Sequence, residues 1–208
     1  MSDLTRILLV DDHFTVRLGL AASLDLEDDL RVVAQAGSGG AARREFRSHE
    51  VDLVIMDWRL PDIEGPDLIR ELKGERSAVR FLVLSAFEGE ENVYQAMEAG
   101  ADGYVSKSVE AEEVLAAVRQ VANGAQYLSG DLERRLQQRR GRESLSPRET
   151  DVLRGLVAGR SNKEIADELS LAEITVKQHV SKILQKLGVQ DRTQAVLACI
   201  QRGIVNPD

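Results

Sequence analysis

Cysteine is almost missing from this chain: Cys199 stands alone in 208 residues. No internal disulfide can form, and the expected compartment is a reducing cytoplasm. Long apolar runs are missing too. The longest, LVIM at 53–56 and FLVL at 81–84, fall far short of the roughly 18 residues that a membrane helix needs, so no membrane association is expected. The opening MSDLTRILLVDD has no cationic stretch followed by a long apolar one, and a secretory signal is not expected. Four prolines and a charged fraction of 30% do not fit a fibrous or disordered chain. What is present is 43% hydrophobic residues, enough for one large core or two small ones.

The net charge of −8 is unevenly spread. Residues 1–125 carry 13 basic and 24 acidic side chains, residues 126–143 five against three, and residues 144–208 nine against eight. The acidic first part argues against nucleic acid there, and the neutral-to-basic remainder leaves it open.

Within 1–125 the short runs RILLV (6–10), RVVAQA (31–36), LVIM (53–56), FLVL (81–84) and GYV (103–105) alternate with helix-like stretches such as VRLGLAASL (16–24) and AEEVLAAVRQVA (111–122). Runs this short that mostly lack polar alternation read as strands buried on both faces, the pattern of a parallel sheet covered by helices. The expected fold is α/β, a doubly wound five-stranded parallel sheet of order 2-1-3-4-5. Residues 126–143, including LERRLQQRRGRE, have few apolar anchors and read as a linker with at most a short helix from near Ser129. Residues 144–208 show no strand pattern. Ser146-Pro147-Arg148-Glu149 and Ser161-Asn162-Lys163-Glu164 are capping-box signatures and mark helices at 147–158 and 162–169. Two more are expected at about 174–187 and 193–202, giving an all-α four-helix domain.

Ligands of a doubly wound sheet sit at the carboxyl ends of its strands. Those ends carry Asp11 and Asp12, Asp57, Ser85 and Lys107. Taken singly, Asp12 is a helix cap and Ser85 and Lys107 are ordinary loop residues. Their joint placement on one edge carries the functional reading. Clustered carboxylates repel unless a cation joins them, and an all-oxygen set beside phosphate favours Mg²⁺. Lys107 adds a positive charge and Ser85 a hydrogen-bond donor, so Asp57 can serve as a nucleophile that carries a phosphoryl group. His13 and His49 are isolated in the sequence and carry no signal.

With VDD at 10–12, DLVIMDWRLPDIEG at 52–65, VLSA at 83–86 and GADGYVSK at 100–107, the first domain resembles the receiver domain of two-component response regulators. The resemblance implies that Asp57 accepts phosphate from a histidine kinase. It also implies that Asp12, Asp57 and the Arg59 carbonyl ligate Mg²⁺, with Asp11 acting through water. Tyr104 stands where the family has an aromatic that turns inward as the Ser85 hydroxyl moves toward the phosphate. Phe14 occupies a position where close relatives often carry proline. Trp58, Arg59 and Phe87 are expected at the mouth of the site, where they would alter phosphate lifetime.

On the helix near 174–187, Val176, Val180, Ile183, Leu184 and Leu187 form an apolar face. The opposite face carries Ile174, Gln178, Ser181 and Gln185, edged by Lys177, Lys182 and Lys186. Lysines suit phosphates and glutamine pairs with adenine, but a solvated charged face has the same pattern. The wider string LSPRETDVLRGLVAGRSNKEIADELSLAEITVKQHVSKILQKLGVQDRTQAV resembles the LuxR-type helix-turn-helix. With the receiver in front, the chain resembles a NarL/FixJ-class response regulator. That implies a transcription regulator, not an enzyme, which reads double-stranded DNA with Lys177, Gln178, Ser181, Lys182 and Lys186 and binds as a homodimer. Ala172 departs from the serine usual at the start of the reading helix. His179 reads as a packing or phosphate-contact residue, and Val196, Cys199 and Ile200 as packing or dimer residues. A rival, a Mg²⁺-dependent phosphohydrolase of the haloacid dehalogenase type, would place D-x-D on strand one. Here the acidic pair is adjacent and the nucleophile lies on strand three. A further rival is a regulator indifferent to phosphorylation, its receiver serving only to dimerise.

Overall fold

A computed structural model describes residues 4–205 and divides the chain into two compact units. The first is a parallel sheet with flanking helices. Its strands are β1 (Thr5–Val10), β2 (Leu30–Ala36), β3 (Leu53–Met56), β4 (Arg80–Ser85), β5 (Gly103–Ser106) and β6 (Tyr127–Leu128). Its helices are α1 (Phe14–Asp25), α2 (Gly39–Ser48), α3 (Gly65–Glu75), α4 (Glu90–Glu98) and α5 (Ala111–Ala122).

Apolar residues of both parities explain why the sheet is covered on both sides. Ile7, Leu9, Leu53, Ile55, Leu82 and Leu84 pack with Leu24 of α1 and Val114, Val118 and Val121 of α5. Leu8, Val54 and Val83, one residue out of phase, are fully buried as well. Alternate residues of a strand point to opposite faces, so the continuous runs are what a two-sided cover requires.

The strand order is 2-1-3-4-5, as expected, with one correction: the sheet has six strands. After α5, Gly124 turns the chain at φ 85°, a backbone setting that favours glycine. Tyr127 and Leu128 then pair in parallel with Gly103 and Tyr104. Two residues are too few to show a periodicity, which is why the sequence pattern did not register β6. The stretch read as a linker also holds a helix, α6 (Gly130–Arg140). Leu132 and Leu136, one turn apart, are buried.

The second unit contains α7 (Pro147–Val157), α8 (Asn162–Leu169), α9 (Glu173–Leu187) and α10 (Arg192–Arg202). Both capping boxes form: the Ser146 and Ser161 hydroxyls accept from the amides of Glu149 and Glu164, whose carboxylates accept from the serine amides in return. Asp191 caps α10 through the Gln194 amide at 2.8 Å. Val152, Leu153, Leu156, Ile165, Val176, Ile183, Leu187 and Cys199 make one core. Gly155 lets α7 and α8 approach, because a Cβ there would stand 2.7 Å from Ile165 Cγ1. Ser170, at φ 54°, ends α8 and starts the turn into α9. Among the described residues no helix is long and apolar enough to cross a membrane.

Ala172 sits at the N-cap of α9 with extended backbone and no side-chain cap bond. A serine there gives the first turn an acceptor, so Ala172→Ser is expected to stabilise the helical unit by about 1 kcal/mol. Thermal melts of the two proteins measure the gain, and an unchanged midpoint contradicts the cap assignment.

Candidate functional site

The carboxyl ends of four adjacent strands, β1, β3, β4 and β5, bring the polar residues together. The Asp57 amide donates to the Val10 carbonyl at 2.8 Å, the Asp11 amide to Ala36 at 3.1 Å, and the Lys107 amide to Ser85 at 2.8 Å. These ladder bonds continue the sheet by one residue and fix each side chain at the same edge. Lys107 Nζ donates to Asp11 Oδ2 and to Asp57 Oδ2, both at 2.6 Å. Asp11, Asp57 and Ser85 are buried, and Asp12 opens to solvent.

Burial pushes the Asp57 carboxyl above its ordinary value, and the bond and charge of Lys107 only partly offset this. Burial also opposes the charge on Lys107, but two carboxylates outweigh it and its pKa is raised. One ammonium therefore serves two acids, and the edge keeps an excess of negative charge.

The loop after Asp57 is held tightly. The Gly65 amide donates to the Trp58 carbonyl at 2.7 Å. A Cβ at Gly65 would lie 2.9 Å from that same oxygen. Asp62 accepts from the Gly39 and Gly40 amides at 2.7 and 2.8 Å, which ties the loop to the start of α2. Arg59 lies in this loop, its guanidinium 5.7 Å from the centre of the Phe87 ring. Trp58 corrects an expectation: it is 3% exposed, not at the mouth. Its ring meets that of Tyr104 at 6.3 Å and 55°. Two large aromatics gain more by packing together than the indole would by facing water.

Tyr104 is fully buried, and its hydroxyl donates to the Phe87 carbonyl. The Phe87 amide in turn donates to Ser85 Oγ at 3.0 Å. Ser85, Phe87 and Tyr104 are thus linked beside Asp57, with the tyrosine ring already inward.

The structure adds a residue that the linear reading set aside. His13 Nδ1 lies 2.7 Å from Asp12 Oδ1 and 3.3 Å from Asp11 Oδ1. One ligand atom each from Asp11, Asp12, His13 and Asp57 all fall within 4.8 Å of one another. In sequence a single histidine shows nothing. Its adjacency to VDD was the available signal.

On α9, Ile174, Lys177, Gln178, Ser181, Lys182 and Gln185 are exposed, and Val176, Ile183 and Leu187 are buried. Lys177 pairs with Glu173 at 2.8 Å, and the Ser181 hydroxyl donates to the Lys177 carbonyl at 3.1 Å. His179 is partly buried. Lys186 departs from the expected stripe. It turns to Glu149 at 2.9 Å and Glu143 at 3.1 Å and donates to the Ser144 carbonyl. Burial opposes ionisation of Glu149, but the Ser146 amide and Lys186 overcome it and hold the carboxyl below its ordinary range. A lysine four residues beyond Lys182 meets this acid before it meets solvent. On α10, Cys199 is in the core, while Leu197 and Ile200 are 55% and 43% exposed.

Comparison with known proteins matches residues 7–119 to the response regulator receiver domain. Residues 143–199 match the luxR family of bacterial regulatory proteins. The response regulator protein VraR of Staphylococcus aureus is 34% identical over 205 residues, covering 96% of this chain and 98% of VraR. Among solved structures, the response regulator ChrA of a heme-sensing two-component system is 33% identical with a TM-score of 0.56, covering 99% of this chain and 100% of that one. RcsB from Salmonella enterica serovar Typhimurium, bound to a promoter in the presence of the phosphomimetic BeF3−, shares the fold at 21% identity and a TM-score of 0.73, covering 97% and 100%.

A buried carboxyl with a raised pKa contributes most to stability below its unfolded value and loses that contribution as pH rises through the folded one. Asp57→Asn is therefore expected to raise the unfolding midpoint at neutral pH in chelator. The gain should shrink as the pH falls toward the ordinary carboxylate range. Melts at several pH values test this, and a destabilised variant at neutral pH contradicts it.

Proposed function

This chain belongs to the two-component response regulators that join a receiver domain to a LuxR-type DNA-binding domain, and we propose that phosphorylation of Asp57 controls its grip on DNA. In domain terms the reading is a receiver at 1–125, a connecting segment at 126–143 and the DNA-binding domain at 144–208. The observation that supports it most directly is Lys107 shared at 2.6 Å between Asp11 and Asp57. A cation poised on the acceptor carboxylate is what a bound phosphoryl group needs.

The phosphodonor is a histidine kinase. Asp57 Oδ attacks the phosphorus of its phosphohistidine, the P–N bond breaks, and the nitrogen keeps the electron pair. Lys107 stays with the new phosphoryl oxygens, and the Ser85 hydroxyl turns to donate to one of them. That turn breaks the Phe87–Ser85 link, through which Tyr104 feels the change. A phosphate brings about two charges and three acceptors, enough to re-form a short hydrogen-bonded loop of this kind.

The donor set fits a divalent metal. Two buried carboxylates share a single ammonium and a third, Asp12, lies open beside them, which leaves charge for a dication to neutralise. Asp12, Asp57 and the Arg59 carbonyl would hold Mg²⁺, with Asp11 acting through water. When bound, the ion supplies neutralisation of the charge that develops on the transferred group. The anchored 58–65 loop fixes where the Arg59 carbonyl is carried. The protein acts in the cytoplasm as a regulator and does not turn over small phosphoesters.

On the DNA side, Lys177, Gln178 and Ser181 read base edges in the major groove and Lys182 meets the backbone. Lys186, spent on Glu149 and Glu143, leaves the contact set. Leu197 and Ile200, one turn apart and exposed on α10, form the contact between two copies on DNA.

A DNA-binding assay with a small phosphodonor and Mg²⁺ tests the switch. Wild type should bind more tightly after treatment, and Asp57→Asn should show no response. Regulated binding that survives Asp57→Asn would instead favour a receiver that only dimerises. For the reading face, Lys182→Ala should lower the slope of log affinity against log salt by about one. Lys186→Gln should leave that slope in place while lowering the unfolding midpoint. A salt slope that falls with Lys186→Gln returns this lysine to the DNA contacts.

A further inference from the structure

We propose that Ile174 is a specificity-determining residue of the DNA-reading helix and that it recognises the 5-methyl group of a thymine in the major groove. The inference rests on the reading of α9 as the helix that enters DNA and deepens it by naming a chemical group of the duplex.

The exposure and placement of Ile174 carry it. The side chain is 64% exposed on the second residue of α9 and takes no part in the core that Val176, Ile183 and Leu187 join. At about 3.6 residues per turn, Ile174, Gln178, Ser181 and Gln185 fall within about 60° of one another, and Lys177 and Lys182 stand about 40° beyond either side. All six are exposed. The isoleucine therefore lies near the middle of a polar stripe with cationic borders. Lysines that meet phosphates at the borders leave the middle of the stripe over the base edges. Its neighbours on this face are glutamine, serine and lysine, so it belongs to no apolar patch of the size that a protein partner covers.

Among the standard bases, only thymine carries a methyl group in the major groove, and the other distinguishing groups there donate or accept hydrogen bonds. Isoleucine can answer none of those, and burying one against it leaves a polar group unpaired. A methyl gains by being covered. The β-branched side chain keeps one main rotamer in a helix, so it loses little freedom when ordered against a base.

The leading residues of a reading helix reach the base edges, and the far end of α9 is turned to its own domain through Lys186. Ile174 precedes Gln178 by four residues, about 6 Å along the axis. Bases along a strand are about 3.4 Å apart, so the thymine belongs within about two base pairs of the base that Gln178 reads.

Selection of sites from a random duplex library by the full chain, treated with a small phosphodonor and Mg²⁺, tests the assignment in wild type, Ile174→Ala and Ile174→Val. Wild type and Ile174→Val are expected to enrich a motif with a thymine that Ile174→Ala no longer prefers. Deoxyuridine at that position removes only the methyl. It should weaken binding of wild type by about fourfold and leave that of Ile174→Ala unchanged. If no thymine of the motif is sensitive to deoxyuridine, or if wild type and Ile174→Ala respond equally to it, the role of Ile174 is overturned and the reading helix stands. If wild type enriches no motif, the reading of α9 falls and takes this inference with it.

Discussion

One ammonium group held between two buried carboxylates organises the receiver. Lys107 Nζ bonds Asp11 and Asp57 at equal distance, and the three residues come from the ends of β1, β3 and β5. Without the cation, two acids at a buried edge would repel and one would take a proton. With it, the edge keeps both acids close together, while burial keeps Asp57 a reluctant anion. The compromise suits the proposed role, in which proton, metal and phosphoryl group would compete for the same oxygens.

Around that centre the fold separates rigid parts from adjustable ones. The floor is apolar on both faces and buried between helices. The loop that carries Arg59 is pinned at both ends, by Gly65 against the Trp58 carbonyl and by Asp62 against α2. The link from Ser85 through Phe87 to Tyr104 depends on only two hydrogen bonds, so it is the cheaper element to rearrange. Trp58, packed on the Tyr104 ring, limits where that ring can go.

Much of this was legible in the sequence, for identifiable reasons. Uninterrupted runs such as LVIM announce strands covered on both faces, and the paired serines and glutamates at 146–149 and 161–164 announce helix starts, because both signals are local. That Asp11, Asp57, Ser85 and Lys107 lie together was legible because strand ends gather at one edge. What the sequence hid depends on tertiary contact. β6 is too short for a period, and Trp58 turns inward because Tyr104 awaits it. Lys186 leaves its stripe because Glu149 lies across from it, and the His13 ring meets Asp12 and Asp11 only in the folded chain.

The tether of Lys186 also sets the reach of α9. With Lys186 of its last turn paired to Glu149 and Glu143, the portion that the proposed reading gives to a groove runs from Glu173 to Lys182. Ten residues at 1.5 Å rise extend about 15 Å, and bases along one strand are spaced by about 3.4 Å. A single copy can therefore scan little more than four consecutive steps of a duplex, which is too short a word to be unique in a genome. Selectivity must be assembled from two such words and the gap between them.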